Sequence, residues 1–518
     1  MSAQTTAGTR NKGQKAQAGN GLEAKVGSAA KAAASGLIQM EEAIRLLKTT
    51  RPTFYRWLRA GRIKGMKVGR QWRFYREDIE RFLTGQTPRV DLPVDIRPLS
   101  DTLRQRLAAL GAKDPEVPGT PLEQAVRLMI LLAFRMRASD IHIASHQTAS
   151  NSTVTSIRLR VDGVLHGVAE IDRRLLPAVI EEWKRLAACD VHEKARPQDG
   201  RIEFRVAGPP ERSLDVRVNF LPAALGPSLT ARILDQVAVQ LTLDRLPYGP
   251  QDQDRIQRAL RLPWGIILCT GPTGSGKTTT LYACLNKVAT PETKALSVED
   301  PVEYLLPWVT QVPVRVDAGL TFAAAVRSML RADPDVILIG EVRDRDTLVA
   351  AVQAALTGHL VLSTLHTEDA ATALRRAVDI GVDPFLVGDA VKLVIAQRLV
   401  RKLCTACSVE DHPAEAVLQE AEQTARAGGV DWSPLPHTYK RPVGCPACGG
   451  TGYRGRTTIV ETLEVTPDVV RALREGKPVE ELRAAAIRGG MTPMLADGAR
   501  RFAAGEVTWA EVMRVVRL

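Results

Sequence analysis

One eight-residue pattern constrains this chain more than any other part of its sequence. Gly271-Pro272-Thr273-Gly274-Ser275-Gly276-Lys277-Thr278 has the form GxxxxGK[ST], and it stands between the apolar run Gly265–Thr270 and a helical stretch that begins at Thr279. Between a strand and a helix, the glycines of such a loop let backbone N–H groups turn inward and surround phosphate groups. The pattern therefore predicts a nucleotide site, with Lys277 on the β- and γ-phosphates and Thr278 on Mg²⁺. The candidate nucleotide-binding residues are Gly271, Pro272, Thr273, Gly274, Ser275, Gly276, Lys277, Thr278 and Thr279.

Strand and helix patterns alternate throughout residues 247–400. Apolar runs of strand length occupy 265–270, 295–298, 336–339 and 360–363. The alternation predicts an α/β domain in which helices cover a parallel sheet. Ligands of such sheets collect at the carboxyl ends of the strands, where a carboxylate such as Glu341 can polarise an attacking water. The polar residues that follow or flank these strands are Glu299, Glu303, Glu341, His359 and His366.

Four of the seven cysteines form two pairs with CxxC spacing, Cys404/Cys407 and Cys445/Cys448. The first 36 residues have no apolar stretch of the secretory type, so the paired spacing favours a metal site over disulfides. Four thiolates complete a tetrahedral shell with no open position, which predicts a structural Zn²⁺ site. Four free thiols are the alternative.

The excess of positive charge is concentrated at the N-terminal end. Residues 1–90 hold 18 Lys and Arg against 6 Asp and Glu, whereas the remaining 428 residues hold 52 of each. Residues 1–36 contain almost no large apolar side chains, which predicts a disordered basic tail. The charge asymmetry suggests an anionic partner at this end, and a solubilising tail is the alternative.

Residues 37–84 have the pattern of two helices followed by a β-hairpin. Residues 40–47 have helical spacing, Thr50 can cap a second helix, and residues 66–74 indicate a hairpin that turns at Gly69-Arg70. This unit resembles the excisionase/MerR-type winged helix-turn-helix, whose arginines contact phosphates and base edges of duplex DNA. A protein-docking domain with the same fold is the alternative.

From about residue 120 to 518, the chain resembles the ATPases of type II secretion and type IV pilus assembly, within the secretion ATPase superfamily. The resemblance rests on the phosphate-binding loop and on residues 137–142, 160–163, 197–201, 298–303, 333–344 and 357–367. It implies Glu341 as the catalytic glutamate, with Glu299, Glu303, His359 and His366 arranging water and the γ-phosphate. It also implies that Arg217 and Arg232, in the preceding domain, reach the nucleotide. Residues 444–456 resemble the tetracysteine zinc module of many members.

The resemblance implies a multidomain α/β chain with a RecA-like P-loop motor domain preceded by a PAS-like α+β domain. The domains that we expect are a disordered basic tail (1–36), a winged helix-turn-helix (37–84), a Pro-rich linker (85–120), the α+β domain (121–246), the ATPase domain (247–400), the zinc module (401–456) and a C-terminal helical domain (457–518).

The expected function is that of a hexameric motor that hydrolyses Mg-ATP and powers pilin or pseudopilin assembly. No run of about 20 apolar residues is found, so we expect a cytoplasmic protein, peripheral at the inner face of the cytoplasmic membrane, whose partner is a polytopic membrane platform protein. The alternative is a DNA-associated ATPase or regulator. A motor that moves along nucleic acid should be basic throughout, whereas residues 91–518 carry no net charge. This distribution favours the secretion hypothesis.

Overall fold

A computed structural model of the chain describes residues 37–59, 62–68, 71–83, 94–111, 117–206, 212–235 and 242–516. The expected disordered tail and the hairpin turn at Gly69-Arg70 lie outside these residues. Among the described helices, none combines the length and the apolar composition needed to cross a bilayer.

The N-terminal unit contains two helices, a hairpin and a closing helix. Its elements are β1 (Leu37–Gln39), α1 (Met40–Leu46), α2 (Arg51–Arg59), β2 (Met66–Val68), β3 (Gln71–Tyr75) and α3 (Arg76–Leu83). The three strands form an antiparallel sheet in the order β1-β3-β2. Phe54 of α2 and Phe74 of β3 are fully buried, and their rings meet edge to face at 5.1 Å. The apolar spacing of α2 thus packs one face of the helix on the sheet and leaves its arginines outside.

The second unit places helices against a six-stranded antiparallel sheet in the order β6-β5-β4-β9-β8-β7. Trp183 is the largest side chain that is fully buried in it. Its elements are α4 (Arg97–Ala109), α5 (Pro121–Arg135), β4 (Ala138–Gln147), β5 (Thr153–Val161), β6 (Val164–Ile171), α6 (Leu176–Leu186), β7 (Gln198–Val206), β8 (Arg212–Ala223) and β9 (Gly226–Asp235).

Helix α4 lies within the residues for which we expected a linker. Leu99, Leu103 and Leu107 recur every four residues and are buried in the core of the second unit, which corrects that expectation for residues 97–109. Pro98 occupies the first turn of the helix, where its missing N–H costs no hydrogen bond. The prolines that suggest a linker are therefore compatible with a packed helix.

The third unit is built on a seven-stranded sheet in the order β12-β11-β13-β14-β10-β15-β18, in which only β18 runs antiparallel to its neighbour. Its elements up to the sixth strand are α7 (Pro250–Leu260), β10 (Gly265–Thr270), α8 (Lys277–Val288), β11 (Ala295–Glu299), β12 (Val309–Pro313), α9 (Phe322–Met329), β13 (Val336–Ile339), α10 (Arg345–Leu356), β14 (Leu360–Leu365), α11 (Ala370–Asp379), α12 (Pro384–Ala390) and β15 (Val391–Leu403).

The C-terminal region completes this sheet and covers it. It contains β16 (Val409–Glu410), α13 (Glu415–Ala427), β17 (Lys440–Arg441), β18 (Tyr453–Glu464), α14 (Pro467–Arg474), α15 (Val479–Arg488), α16 (Met494–Ala503) and α17 (Trp509–Val516). The expected domain boundaries at 400/401 and 456/457 fall inside β15 and β18, which pair with each other from Leu393 to Leu403. The strands of this sheet therefore extend into the residues that we assigned to the zinc module and to the helical domain.

Strand register brings the ends of four parallel strands to one edge. Thr270 pairs with Leu365, Ile339 with Ser363, and Val298 with Ile339. The residues that follow these four strands therefore lie close together at the carboxyl edge of the sheet.

Candidate functional site

A cleft of about 470 Å³ opens at this carboxyl edge. It brings together the phosphate-binding loop, Glu299, Glu303, Glu341 and His366, which are far apart in sequence. The lining also includes Tyr282 of α8, Leu399 of β15 and Arg456 of β18.

The loop between β10 and α8 has a backbone that only glycine adopts easily. Gly271, Gly274 and Gly276 have φ of +145°, +80° and +93°. A Cβ at Gly271 would stand 2.6 Å from the carbonyl oxygen of Gln397 and from Ser275 Oγ. Ser275 Oγ is buried and has no hydrogen-bond partner among the described residues. The tight loop with a spare buried hydroxyl fits a bound phosphate group.

Lys277 lies inside the loop that precedes it. Its Nζ donates to the carbonyl oxygens of Gly271, at 2.7 Å, and Pro272, at 3.1 Å. Burial lowers the pKa of its ammonium group. The cation is thus held by neutral carbonyl groups at the position where the sequence pattern expects phosphate.

Gln397 of β15 holds the loop in place through hydrogen bonds of its side-chain amide. Its Nε2 donates to the carbonyl oxygen of Ser275 at 2.8 Å, and its Oε1 accepts from Tyr248 Oη at 2.7 Å and from Thr280 Oγ1 at 2.9 Å. Sequence reasoning missed Gln397 and Tyr248. The one available signal was a lone amide within the apolar run of β15.

Glu299 is buried at the end of β11 and saturated with hydrogen bonds. Its carboxylate accepts from Ser297 Oγ at 2.5 Å, from Gln311 Nε2 at 3.0 Å and from the hydroxyl of Tyr282. Burial, and next the bond to Glu299, raise the pKa of Tyr282, so the phenol keeps its proton and donates. These bonds fix the orientation of the carboxylate in the wall of the cleft.

Glu341 follows β13 and has two basic neighbours. Arg343 Nη2 lies 2.6 Å from Glu341 Oε1, and His366 Nε2, just past the end of β14, lies 3.4 Å from Oε2. The carboxylate is largely buried and lines the same cleft as the phosphate-binding loop. An acid in this position, oriented by a histidine, has the environment of a group that orients water.

Arg217 of the second unit contacts a residue of the cleft, whereas Arg232 pairs within its own unit. Arg217 Nη1 forms an ion pair with Glu303 Oε2 at 2.9 Å, and its Nη2 donates to the carbonyl oxygen of Val302 at 3.4 Å. Arg232 instead pairs with Asp140 of its own sheet at 3.1 Å. Among the described contacts of one chain, therefore, only the first of these arginines touches a residue of the cleft lining.

His359 also lies away from the cleft. It precedes β14 and so occupies the amino edge of the sheet, opposite the edge that His366 occupies. Its Nδ1 lies 2.8 Å from the carbonyl oxygen of Ala354, and its own carbonyl oxygen accepts from the N–H of Gly265. In this chain its side chain therefore caps the end of α10 rather than contacting the residues of the cleft.

The two cysteine pairs converge on one point. All four Sγ atoms lie within 4.8 Å of one another, with contacts of 3.9 Å for Cys404–Cys445 and Cys407–Cys448 and 3.8 Å for Cys445–Cys448. A tetrahedral Zn²⁺ with Zn–S bonds of about 2.3 Å requires S···S edges of about 3.8 Å, whereas a disulfide requires about 2.05 Å. The thiols are thus placed as four ligands of one metal ion.

Backbone N–H groups surround the same sulfurs. Cys445 N and Gly452 N donate to Cys448 Sγ at 3.1 and 3.2 Å, and Gly444 N donates to Cys407 Sγ at 3.4 Å. Burial opposes ionisation of Cys448, but the N–H donors outweigh it and lower the pKa of this thiol to about 6. Burial raises the pKa of Cys407 to about 11, so the surroundings favour the thiolate form of Cys448 and the thiol form of Cys407. Four sulfurs in this arrangement suit a closed structural site for a soft divalent metal.

Helix α2 of the N-terminal unit exposes Arg56 and Arg59 beside Tyr55. Its end also touches the second unit, because the N–H of Val191 donates to the carbonyl oxygen of Arg59 at 3.0 Å. The ring of Trp72 in β3 lies 5.2 Å from that of His192. The surface that would read DNA is thus basic and partly in contact with the rest of the chain.

Comparisons with known proteins agree with this architecture. Residues 116–514 match the family "Type II/IV secretion system protein", and residues 37–87 match the family "Helix-turn-helix domain". The type II secretion system protein HxcR of Pseudomonas aeruginosa is 43% identical, covering 82% of each chain. The type IV pilus assembly ATPase PilB of Myxococcus xanthus is 37% identical, covering 85% of this chain and 75% of its own.

Two solved structures share the fold. The ATPase DotB of Legionella pneumophila aligns with a TM-score of 0.53 at 22% identity, covering 78% of this chain and 98% of its own. The pilus retraction motor PilT with bound ADP aligns with a TM-score of 0.50 at 22% identity, covering 75% of this chain and 96% of its own.

Proposed function

Because this chain belongs to the type II/IV secretion system protein family, and is thus an ATPase of a secretion or pilus motor, we propose that it hydrolyses Mg-ATP as a hexamer and powers pilin or pseudopilin assembly. The observation that supports this most strongly is the cleft itself. One cavity is lined by a phosphate-binding loop, by the Glu341–His366 pair and by Glu303 with its interdomain arginine.

The proposed roles of the residues follow from their positions. The N–H groups of the loop and Lys277 bind the phosphates, and Thr278 holds Mg²⁺, which neutralises charge on the phosphate oxygens when bound. Glu341, oriented by His366, accepts a proton from the attacking water. Glu299 is held too firmly by its three donors to move, so we assign it to shaping the cleft beside the phosphates.

Arg217 gives the second unit a direct means of responding to nucleotide. Its guanidinium neutralises charge on the transferring phosphoryl group if it exchanges Glu303 for a phosphate oxygen. Exchange of partners would alter the contact between the two units, and this change of interdomain angle is the power stroke that we propose.

Association of several copies has support in the exposed segment that precedes the edge strand β12. Leu305 and Trp308, just before the edge strand β12, are 85% and 64% exposed. Large apolar side chains that are exposed in this way are typical of surfaces that a partner covers. We assign this partner to the neighbouring copy in the hexamer.

The membrane platform hypothesis has a direct test. The full chain is purified, and ATP turnover is measured with a detergent-solubilised polytopic platform protein of the machine or with duplex DNA. We expect the platform protein to stimulate turnover and DNA to leave it unchanged. Mass measurement with and without nucleotide tests the hexamer, and stimulation by DNA alone would overturn this proposal.

A DNA-associated role is the second candidate, and the exposed arginines of α2 favour it. In this hypothesis the helix-turn-helix unit tethers the ATPase to duplex DNA, or the ATPase regulates DNA binding. The neutral charge of residues 91–518 argues against translocation along DNA, so the hypothesis is confined to the N-terminal unit.

A further inference from the structure

Besides Arg217, a second contact joins the second unit to the nucleotide cleft. Asp162, in the turn between β5 and β6, lies against the first residues of β18. Its Oδ2 accepts from the N–H of Gly455 at 2.9 Å, and its Oδ1 lies 4.0 Å from Nε of Arg456. Arg137 Nη2 stands 3.7 Å from the same carboxylate. The side chain of Asp162 is only 11% exposed, so the carboxylate of this contact is largely shielded from water.

Arg456 connects that contact with the cleft. Its side chain is 40% exposed and lines the same cavity as Lys277 and Glu341. Among the described residues of the lining, Lys277 and Arg456 are the side chains with a permanent positive charge. A second cation in such a site can bind phosphate groups. The motifs from which the sequence predicts the nucleotide site do not include it.

The guanidinium of Arg456 is oriented so that its two Nη atoms remain available for a ligand. Nε is the atom closest to Asp162, so both Nη atoms lie farther from that carboxylate. A guanidinium has five N–H donors and can contact two acceptors at once. Asp162 can therefore hold the inner side of the group while the terminal Nη atoms contact an anion in the cleft.

We propose that Arg456 contacts the bound nucleotide and that Asp162 of the second unit is the positioning residue that holds it there. The proposal rests on the nucleotide site proposed above and adds a coupling to it. Docking of the turn around Asp162 preorganises Arg456, so nucleotide binds more tightly to the docked arrangement. By thermodynamic reciprocity, bound nucleotide stabilises docking of the second unit on the third.

Equilibrium binding separates this role from a structural one. Affinity for a fluorescent ADP analogue with Mg²⁺ is measured on the full chain, so that no hydrolysis is needed. Loss of a charge-assisted hydrogen bond predicts that Arg456→Ala weakens binding about tenfold to hundredfold. Asp162→Asn, which removes one weak ion pair, should weaken it about two- to fivefold. Arg454→Ala on the same strand and Glu170→Gln on β6 are matched controls that should leave affinity unchanged.

Two further variants make the proposed coupling falsifiable. Arg456→Lys keeps the charge but lacks Nε, so adding Asp162→Asn to it should have no further effect on affinity. Amide exchange at Gly455, whose N–H bonds directly to Asp162, should slow when nucleotide binds to the wild type and not in Arg456→Ala. Melting temperatures of all variants show that they are folded.

The possible outcomes distinguish this proposal from the one on which it rests. If the wild type binds the analogue and Lys277→Ala does not, the nucleotide site is real. Unchanged affinity in Arg456→Ala would then overturn only the role of Arg456. Tighter binding in Asp162→Asn would show that Asp162 competes with nucleotide for the arginine, and the positioning role would be overturned. If neither the wild type nor Lys277→Ala binds, the proposed function fails as well.

Discussion

At the scale of single residues, Lys277 and Glu341 line the same cleft, and their substitutions should have different effects. Lys277→Ala removes the cation inside the phosphate-binding loop, so we expect nucleotide binding itself to be lost. Glu341→Gln keeps the shape of the side chain but cannot accept a proton, so binding should persist while hydrolysis stops. Steady-state turnover and analogue binding are measured together. A glutamine variant that turns over like the wild type would exclude Glu341 from the mechanism.

Arg217 and Arg232 provide a matched pair within one sheet. Arg217→Ala should reduce turnover by about 10³-fold with little loss of affinity, because its charge is needed where charge develops in the transition state. Arg232→Ala removes a guanidinium paired with Asp140, so its effect on turnover should be much smaller. Equal losses of affinity and rate in Arg217→Ala would mark it as a ground-state phosphate ligand. A large loss in Arg232→Ala would support the role that the family resemblance implies.

The sequence was most informative about residues that follow strands. Glu299, Glu341 and His366 could be grouped because parallel strands bring their carboxyl ends together. His359 belongs to the predicted group because it flanks β14 and because the family resemblance implies it, yet it precedes its strand and so lies at the other edge. Gln397 and Arg456 were missed because they belong to β15 and β18, and only non-local strand pairing brings these strands beside the loop.

At the scale of elements, the same non-local pairing explains which boundaries sequence patterns misplace. Cysteine pairs and helical periodicity are local signals, and they suggested separate zinc and helical domains after residue 400. β18 comes after the cysteines, yet it joins the sheet of the third unit as its last strand. In helix α4 the local signal is also misleading. The prolines around it indicate a linker, whereas one apolar face of the helix is buried in the second unit.

The cysteine cluster should hold one Zn²⁺ per chain. Four sulfurs at the edge length of a zinc tetrahedron leave no position for water, so the metal should stabilise the fold and not act in hydrolysis. Metal analysis of purified protein should return about one equivalent. Cys445→Ser should lower the melting temperature more than the turnover per folded molecule, whereas Cys189→Ser, in the second unit, should leave the zinc content unchanged. A metal-free preparation of undiminished stability would show that the four cysteines are simple thiols.

At the scale of the whole molecule, two contacts between the described residues of the second and third units lie around one cleft. One contact is the Arg217–Glu303 ion pair and the other is Asp162 against Gly455 and Arg456. Each has one member in the lining of the cleft. In the coupling that we propose, a polyanion that enters the cleft acts on both contacts at once and so changes the orientation of the second unit.

The N-terminal unit has a core of its own, which bears on whether it acts independently. The buried residues of this core all belong to the unit itself: Ile38, Met40, Ala43, Leu47, Phe54, Leu58, Ile63, Phe74 and Ile79. We therefore expect residues 37–84 to fold as an isolated fragment, and basal ATP turnover to persist without them. The second unit touches the end of α2 and the ring of Trp72, so a single full-length chain should offer DNA less surface than the fragment does.

These features predict weak, salt-dependent binding of duplex DNA by the isolated fragment. One winged module makes few phosphate contacts, so its dissociation constant should lie near the non-specific range, roughly 10⁻⁴–10⁻⁶ M. Six copies in a hexamer could raise the apparent affinity by about 10²–10⁴ where geometry lets them bind together. Binding is measured for the fragment and the full chain at two salt concentrations. Arg56→Ala on α2 should weaken it, and Arg45→Ala on α1 is the matched control. If neither protein binds at low salt, or if both variants behave alike, the arginines of α2 do not read DNA, and the unit is a protein-docking domain.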